Sequence, residues 1–275
     1  MKLISRLRGC LLGGAIGDAL GAPVEFLTIV AIRNKYGLKG IQDFHKAYSV
    51  TGSITDDTQM TLFTNEGICQ CFMSPEVPLE YVLTQAYLHW FTTQTKPYPT
   101  DQQLFGLLKN PELWSRRAPG LTCLGSLKLI TQNGKLSNNN SKGCGGVMRV
   151  APIGLAFQDP SNAYCIGKMS ALITHHHPDG FIPAGALARI ISLMTYENLT
   201  LFEAQKDTLH FVEKEEADCN TTALWNKMLS IYDKNKQFEF DNLEYIGLGW
   251  SGDEDRKSTR LNSSHVSESR MPSSA

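Results

Sequence analysis

Ile54-Thr55-Asp56-Asp57-Thr58-Gln59-Met60 sets two adjacent carboxylates between two threonines. A helical apolar pattern starts immediately behind them, with Met60, Leu62, Phe63, Ile68 and Cys71 on a roughly helical period. The motif fits two chemistries. Thr55 stands where a helix N-cap belongs, and Asp56 and Asp57 fall in the first turn, where the helix dipole favours negative charge. Two carboxylates and a hydroxyl converging on one point also repel one another unless a cation sits among them, and Mg²⁺ prefers such oxygen donors. A capped helix and a hard-cation site therefore both remain open at this motif.

Three further stretches carry possible chemistry. Around Gly17-Asp18-Ala19-Leu20-Gly21-Ala22-Pro23-Val24-Glu25-Phe26, Pro23 stops a helix and Glu25 follows on a short loop between Val24 and Phe26. A glutamate held among apolar groups has a raised pKa, as acid/base catalysis needs; a solvated loop glutamate is the plainer alternative. Lys142-Gly143-Cys144-Gly145-Gly146-Val147-Met148-Arg149 is a glycine-dense turn entering a helix, whose backbone N–H groups suit an anion such as phosphate. Cys144 has no catalytic histidine at a diagnostic spacing and reads as a backbone-position residue. His175, His176 and His177 are consecutive, so they cannot face one another on a helix, and zinc would want spaced pairs. The pattern predicts His175 pointing inward from a helix end, with the other two solvated.

The elements that must position these groups are helical. Helical patterns cover residues 5–21, 57–72, 77–93, 101–109, 121–131, 181–196, 200–217 and 221–236, punctuated by prolines. The first is glycine-rich and predicts a buried helix with close backbone approach; residues 27–53 predict a loop-rich excursion. Strand-type alternation is nearly absent, so the chain reads as all-α. Of its 275 residues 42% are hydrophobic and 19% charged, an ordinary globular balance with room for a sizeable core. A formal net charge of −1 gives no reason to expect nucleic acid or an anionic membrane as the main partner. Gly13, Gly14, Gly17 and Asp18 interrupt the apolar run that follows Arg8, against a signal peptide, and no stretch approaches the roughly 20 apolar residues of a membrane span. Seven scattered cysteines without a Cys-x-x-Cys suit reduced thiols, predicting a cytoplasmic protein.

In this order, the pieces resemble the ADP-ribosylglycohydrolase family, which includes the dinitrogenase reductase-activating glycohydrolase. The matching stretches are residues 8–21, Pro23-Val24-Glu25-Phe26, Thr55-Asp56-Asp57-Thr58-Gln59-Met60, residues 145–154 and Thr174-His175-His176-His177-Pro178. The resemblance covers about residues 5–253. It implies an orthogonal multi-helix bundle with one or two Mg²⁺ ions in a cleft, where the bond from the anomeric carbon of ADP-ribose to a modified side chain is cleaved. On that pattern Thr55, Asp56 and Asp57 are metal ligands, and Glu25, Asp56 and Asp57 are catalytic. Gly143, Cys144, Gly145, Gly146, Met148 and His175 bind substrate. The implied partner is an ADP-ribosylated protein, with arginine the expected linkage, or a small molecule containing ADP-ribose. Cleavage through an oxocarbenium-like state needs charge stabilisation, positioned ribose hydroxyls and an activated water, which such a residue set suits.

The departure lies at the far end. The family carries a second acidic motif, Asp-x-Asp-Thr or close to it, beyond the block at residues 247–254, whereas this chain runs into a Ser- and Arg-rich stretch that resembles translated adapter or vector sequence. Asp253 and Asp255 are followed by Arg256 and are not taken as the second ligand pair. The expectation is a domain over residues 1–254, incomplete at its C-terminus with the last helices missing, and a non-native or disordered tail over 255–275. The competing functions are a non-catalytic protein that binds ADP-ribose or a toxin, acting in immunity or regulation, and an inactive truncated relative.

Overall fold

Ten α-helices and one two-stranded ribbon make up the described residues of the computed structural model, which are 3–101, 103–216 and 220–235. In chain order they are α1 (Leu3–Gly21), α2 (Ile29–Tyr36), β1 (Lys46–Ala47), β2 (Val50–Thr51), α3 (Asp56–Met73), α4 (Leu79–Thr95), α5 (Leu121–Asn133), α6 (Ala151–Ala156), α7 (Pro160–Leu172), α8 (Pro178–Ser192), α9 (Leu201–Glu215) and α10 (Asn220–Asn235). The all-α class expected from the sequence holds. Residues 247–254, Asp253, Asp255, Arg256, the 255–275 segment and Cys219 lie outside the described residues.

The main core lies among α3 to α8. Met60, Phe63 and Ile68 of α3 meet Leu83, Tyr87 and Trp90 of α4, Leu127 of α5, Ile153 of α6 and Ala171 of α7, all buried. Each large apolar side chain removed from water contributes roughly 1.5–3 kcal/mol. Polar bonds run through this core and fix its register. Gln59 is fully buried; its Nε2 donates to Ser115 O at 2.9 Å, and its Oε1 accepts from Trp90 Nε1 and Gln94 Nε2, both at 3.1 Å. Tyr87 Oη lies 3.0 Å from Thr64 Oγ1 and 2.7 Å from Ser170 Oγ, tying α3, α4 and α7 together. α7 and α8 approach so closely that a Cβ on Gly167 would lie 2.9 Å from Ala184 O.

The structure differs from the sequence expectation in four places. α1 is not buried: Ala19 is its single buried residue, Leu12 is 62% exposed, and a Cβ on Gly9, Gly13, Gly14 or Gly17 would meet nothing within 4 Å among the described residues. The apolar residues of α1 are spread round its circumference, so docking one side leaves others facing outward. Residues 27–53 are not all loop: Thr28 caps α2 by accepting from Ala31 N at 3.2 Å, and β1 and β2 form an antiparallel ribbon. The helix expected over 101–109 shrinks to a 3-10 turn, Gly106–Lys109, held by Glu66 Oε1, which accepts from Leu107 N at 2.7 Å. Finally, the helical patterns leave out the body of α7 and capture only its end at His175, although Asp159 caps it, accepting from Ser161 N at 3.0 Å, with Pro160 in its first turn.

Candidate functional site

The N-terminus of α3 is built as its sequence predicts, and with one addition. Thr55 is the N-cap, its Oγ1 accepting from Asp57 N at 3.3 Å, and Asp56 and Asp57 fill the first turn. The addition is Asp18, which reaches across from α1. Its Oδ2 accepts from Thr55 N at 2.8 Å, Thr58 N at 3.2 Å and Thr58 Oγ1 at 2.6 Å, while its Oδ1 accepts from Thr55 Oγ1 at 2.7 Å. A carboxylate from one helix thus caps another, 37 to 40 residues along the chain. Thr55 Oγ1 also lies 3.0 Å from Asp57 Oδ2. Asp56 is buried; its Oδ2 accepts from Gly120 N at 3.0 Å and its own N–H donates to Arg117 O at 3.0 Å. The loop before α5 therefore closes over this turn, with Ala118 in the left-handed region at φ 53°.

The electrostatics are those of acids crowded together and partly dried. Burial, and next the charge of Asp57, push the Asp56 carboxyl up to about 8; Glu25 and Asp18 add to the rise, against the Gly120 hydrogen bond. Burial and then Asp18 raise Asp57 as well. Glu25 is half-buried in the turn after α1, close enough for its charge to act on both Asp56 and Tyr48. Tyr48 is at the tip of the β1–β2 ribbon, where it and Ser49 both take positive φ, 48° and 67°. Burial, then Glu25, Asp56 and Asp18, push its phenol up to about 12. Sequence reasoning missed both Asp18 and Tyr48 as members of this site. Asp18 had a signal, being the lone acid of an apolar helix; Tyr48 had none.

A hard cation suits this donor set. Among the described residues no lysine or arginine pairs with Asp18, Asp56 or Asp57. The described residues contain no cluster of three His, Cys, Asp or Glu able to hold a metal ion. Two adjacent carboxylates and a hydroxyl are what they offer, and Mg²⁺ commonly keeps several waters beside one or two carboxylates.

The second half of the candidate site is the glycine turn and the histidine run, which the structure brings together. Cys144–Gly146 forms a 3-10 turn with Cys144 at the surface and Gly146 buried. A Cβ on Gly145 would lie 2.8 Å from Cys123 Sγ and 2.9 Å from His175 Cε1, and one on Gly146 would lie 2.7 Å from Ala171 Cβ. These two glycines are thus required by packing, whatever the turn binds. Met148 O accepts from Thr61 Oγ1 at 3.1 Å, which joins the turn to α3. His175 is buried after the end of α7, as its position in the sequence predicts. Its neighbours are not simply solvated: His177 is half-buried and caps α8, accepting from Asp179 N at 3.1 Å. The cysteines at 10, 69, 71, 123, 144 and 165 are free thiols, and no helix among the described residues is long and apolar enough to cross a membrane.

Comparison with known proteins matches the sequence of this chain to one family. The profile of the ADP-ribosylglycohydrolase family matches residues 1–257. An uncharacterized protein of Archaeoglobus fulgidus is 31% identical over 177 residues, which are 62% of this chain and 49% of that protein. The mouse ADP-ribosylhydrolase ARH3 is 26% identical over 226 residues, covering 78% of this chain and 53% of its own. The ADP-ribosyl-[dinitrogen reductase] glycohydrolase of Rhodospirillum rubrum is 27% identical over 185 residues, covering 63% and 52% respectively. The chain spans about half the length of the curated relatives it matches.

Proposed function

Because the chain belongs to the ADP-ribosylglycohydrolase family, we propose that it is a Mg²⁺-dependent hydrolase that releases ADP-ribose from a modified protein side chain. The observation that carries this is the acid cluster, with Asp56 raised by burial and then by the charge of Asp57, Asp57 raised by burial and then by Asp18, and no cationic side chain among the described residues paired with either. Asp56, Asp57 and the Thr55 hydroxyl would hold the metal. The chemistry supplied by bound Mg²⁺ is orientation of the ribose hydroxyls and stabilisation of charge near the anomeric carbon.

The rest of the work falls to the chain's own groups. The glycine turn at 143–146, with Met148 behind it, receives the pyrophosphate or distal ribose, and His175 lies against that turn. Glu25, whose charge is felt at Asp56, takes a proton from the attacking water at a carboxylate oxygen as the anomeric carbon exchanges its bond to the side chain for one to that water oxygen. The proton finally resides on the released side chain. Arginine is the linkage we favour, because a guanidinium leaving group is cationic and Asp18, Glu25, Asp56 and Asp57 make this end of the molecule strongly acidic. We place its work in the cytoplasm, where the free thiols stay reduced.

The test uses the full chain and a protein labelled with ADP-ribose on arginine. Free ADP-ribose should appear with Mg²⁺, stop with a chelator, and be abolished by Asp56→Ala. Binding of ADP-ribose by both proteins, with release by neither, refutes the hydrolase and leaves a binding protein.

A further inference from the structure

Arg149 is fully buried, and its contacts are unusual for a cation in a core. Its guanidinium lies over the Tyr87 ring, 4.1 Å from the centroid. Nη2 donates to Ser170 O at 2.7 Å and to Thr174 Oγ1 at 2.8 Å; Nη1 has only the sulfurs of Met60, at 3.9 Å, and Cys123, at 3.8 Å. None of these partners is a carboxylate. Carrying a buried charge without an acid is costly, and an apolar side chain of similar size would fill the space without that cost. What an apolar residue could not do is direct the Thr174 hydroxyl.

We infer that Arg149 is a positioning residue: through Thr174 it holds His175 as the neutral Nε2–H tautomer, a fixed hydrogen-bond donor lying against the glycine turn. The reasoning is a count of protons. A guanidinium only donates, so Thr174 Oγ1 must accept from Arg149. The single hydroxyl hydrogen then has three acceptors within reach: His175 Nδ1 at 2.8 Å, Ala171 O at 3.4 Å, and the Cys123 sulfur, which as a neutral thiol is a weak acceptor. The short contact to the ring takes it, which makes Nδ1 an acceptor and puts the ring proton on Nε2. The opposite tautomer would aim Nδ1–H at an oxygen already accepting from Arg149 and leave the hydroxyl with only the long contact and the weak sulfur. The Thr174 backbone is fixed by its carbonyl, which accepts from Ser126 Oγ at 3.0 Å and Asn139 Nδ2 at 2.8 Å, and its hydroxyl is fixed by Arg149 Nη2. The charged imidazolium is disfavoured too: burial, then Arg149, then His176 press the His175 pKa down to about 3, while the buried Cys123 thiol beside the turn is pushed up to about 11 and stays neutral. The Nε2 edge is the one at the turn, 3.2 Å from where a Gly145 Cβ would be and 3.5 Å from one on Gly143.

The tautomer holds whatever the turn binds; that its donor grips an oxygen of ADP-ribose rests on the proposed function. The test is long-range ¹H–¹⁵N correlation on full-length protein with ¹⁵N-labelled histidine, the His175 signals being assigned by their loss in His175→Gln. Wild type should show a pyridine-like Nδ1 and a protonated, pyrrole-like Nε2 from about pH 5 to 8. Thr174→Val should bring both tautomers into view, Thr174→Ser should restore the single pattern, and Arg149→Met should do as Thr174→Val does. Because Arg149→Met is a core change that could fail to fold, the Val and Ser pair carries the decision. A proton on Nδ1 in wild type, imidazolium in this pH range, or an unchanged single pattern in Thr174→Val overturns the inference. Calorimetry with ADP-ribose should show binding weakened about fivefold in Thr174→Val and recovered in Thr174→Ser. Absence of ADP-ribose binding in wild type would refute the ligand while leaving the tautomer assignment intact.

Discussion

Removing the charge of Asp56 should make the metal-free protein more stable at alkaline pH, the reverse of what deleting a polar residue usually does. Asp56 has an ordinary carboxyl value of 3.8 when unfolded and about 8 in the folded chain. An acid raised in this way binds its proton more tightly in the native state, so between about pH 4 and pH 8 the folded protein carries the extra proton and stability falls as pH rises. Each pKa unit corresponds to about 1.4 kcal/mol, so the whole displacement from 3.8 to about 8 is roughly 6 kcal/mol, nearly all of it felt at about pH 8.5. Relaxation and water entry return part of it, which leaves about 2–3 kcal/mol for Asp56→Asn to recover, or roughly 5–10 °C in melting temperature. Asn keeps a carbonyl oxygen for the Gly120 N–H, so the loop before α5 need not open. The assay is thermal unfolding in chelator at about pH 5 and about pH 8.5, the readout being the difference between wild type and variant at each pH, which isolates this group from others that titrate. Mg²⁺ should then raise wild type more at the higher pH and leave Asp56→Asn nearly unmoved. A variant that is no more stable than wild type at about pH 8.5, or a gap that does not widen with pH, would refute the electrostatic account of the site.

Three other substitutions probe the frame that holds these groups. Asp18→Ala removes the acceptor for Thr55 N, Thr58 N and both threonine hydroxyls, and should cost about 2 kcal/mol in urea unfolding, partly restored by Asp18→Asn. Gln59→Leu strips the acceptor from Trp90 Nε1 and Gln94 Nε2 in a dry core, and should cost about 2–3 kcal/mol, read as a lower denaturant midpoint. Gly145→Ala drives a methyl against Cys123 Sγ and His175; it should cost about 1–3 kcal/mol and weaken ADP-ribose binding while the far-ultraviolet circular dichroism stays helical.

What the sequence made legible is what neighbouring residues determine. The N-cap at Thr55, the acids behind it, and the inward His175 at the end of a helix all follow from side chains within a turn or two of one another. The helical pattern over 200–217 is likewise local, and the structure adds the Thr200–Glu203 capping box that starts α9. What stayed hidden depends on distant chain. No local pattern says that the peptide N–H of Gly120 closes on Asp56, or that a ribbon with two non-glycine residues at positive φ brings Tyr48 to the acids. The exposure of α1 was hidden for a different reason. Its composition is that of a buried helix, and composition cannot say how much of its circumference the described residues cover.

Asp18 also changes how the acidic motif should be understood. The first N–H groups of a helix have no partner within it, and first-turn acids such as Asp56 and Asp57 are commonly credited with relieving that deficit. Here the deficit is met by other groups. Thr55 N and Thr58 N go to Asp18, Asp57 N goes to the Thr55 hydroxyl, and Asp56 N goes to Arg117 O. Neither carboxylate of the pair accepts from its own helix's first N–H groups, so what the helix end offers Asp56 and Asp57 is the dipole alone, against the cost of burying them. Asp56 has one oxygen engaged by the Gly120 N–H, and Asp57 Oδ2 competes with Asp18 Oδ1 for the single hydrogen of the Thr55 hydroxyl, which leaves each of the pair a second oxygen with no hydrogen-bond donor among the described residues. On the proposed function these remaining oxygens are the ones that would hold Mg²⁺, so a chain with both residues changed to Asn should keep α3 and its Thr55 cap while losing any response of melting temperature to Mg²⁺.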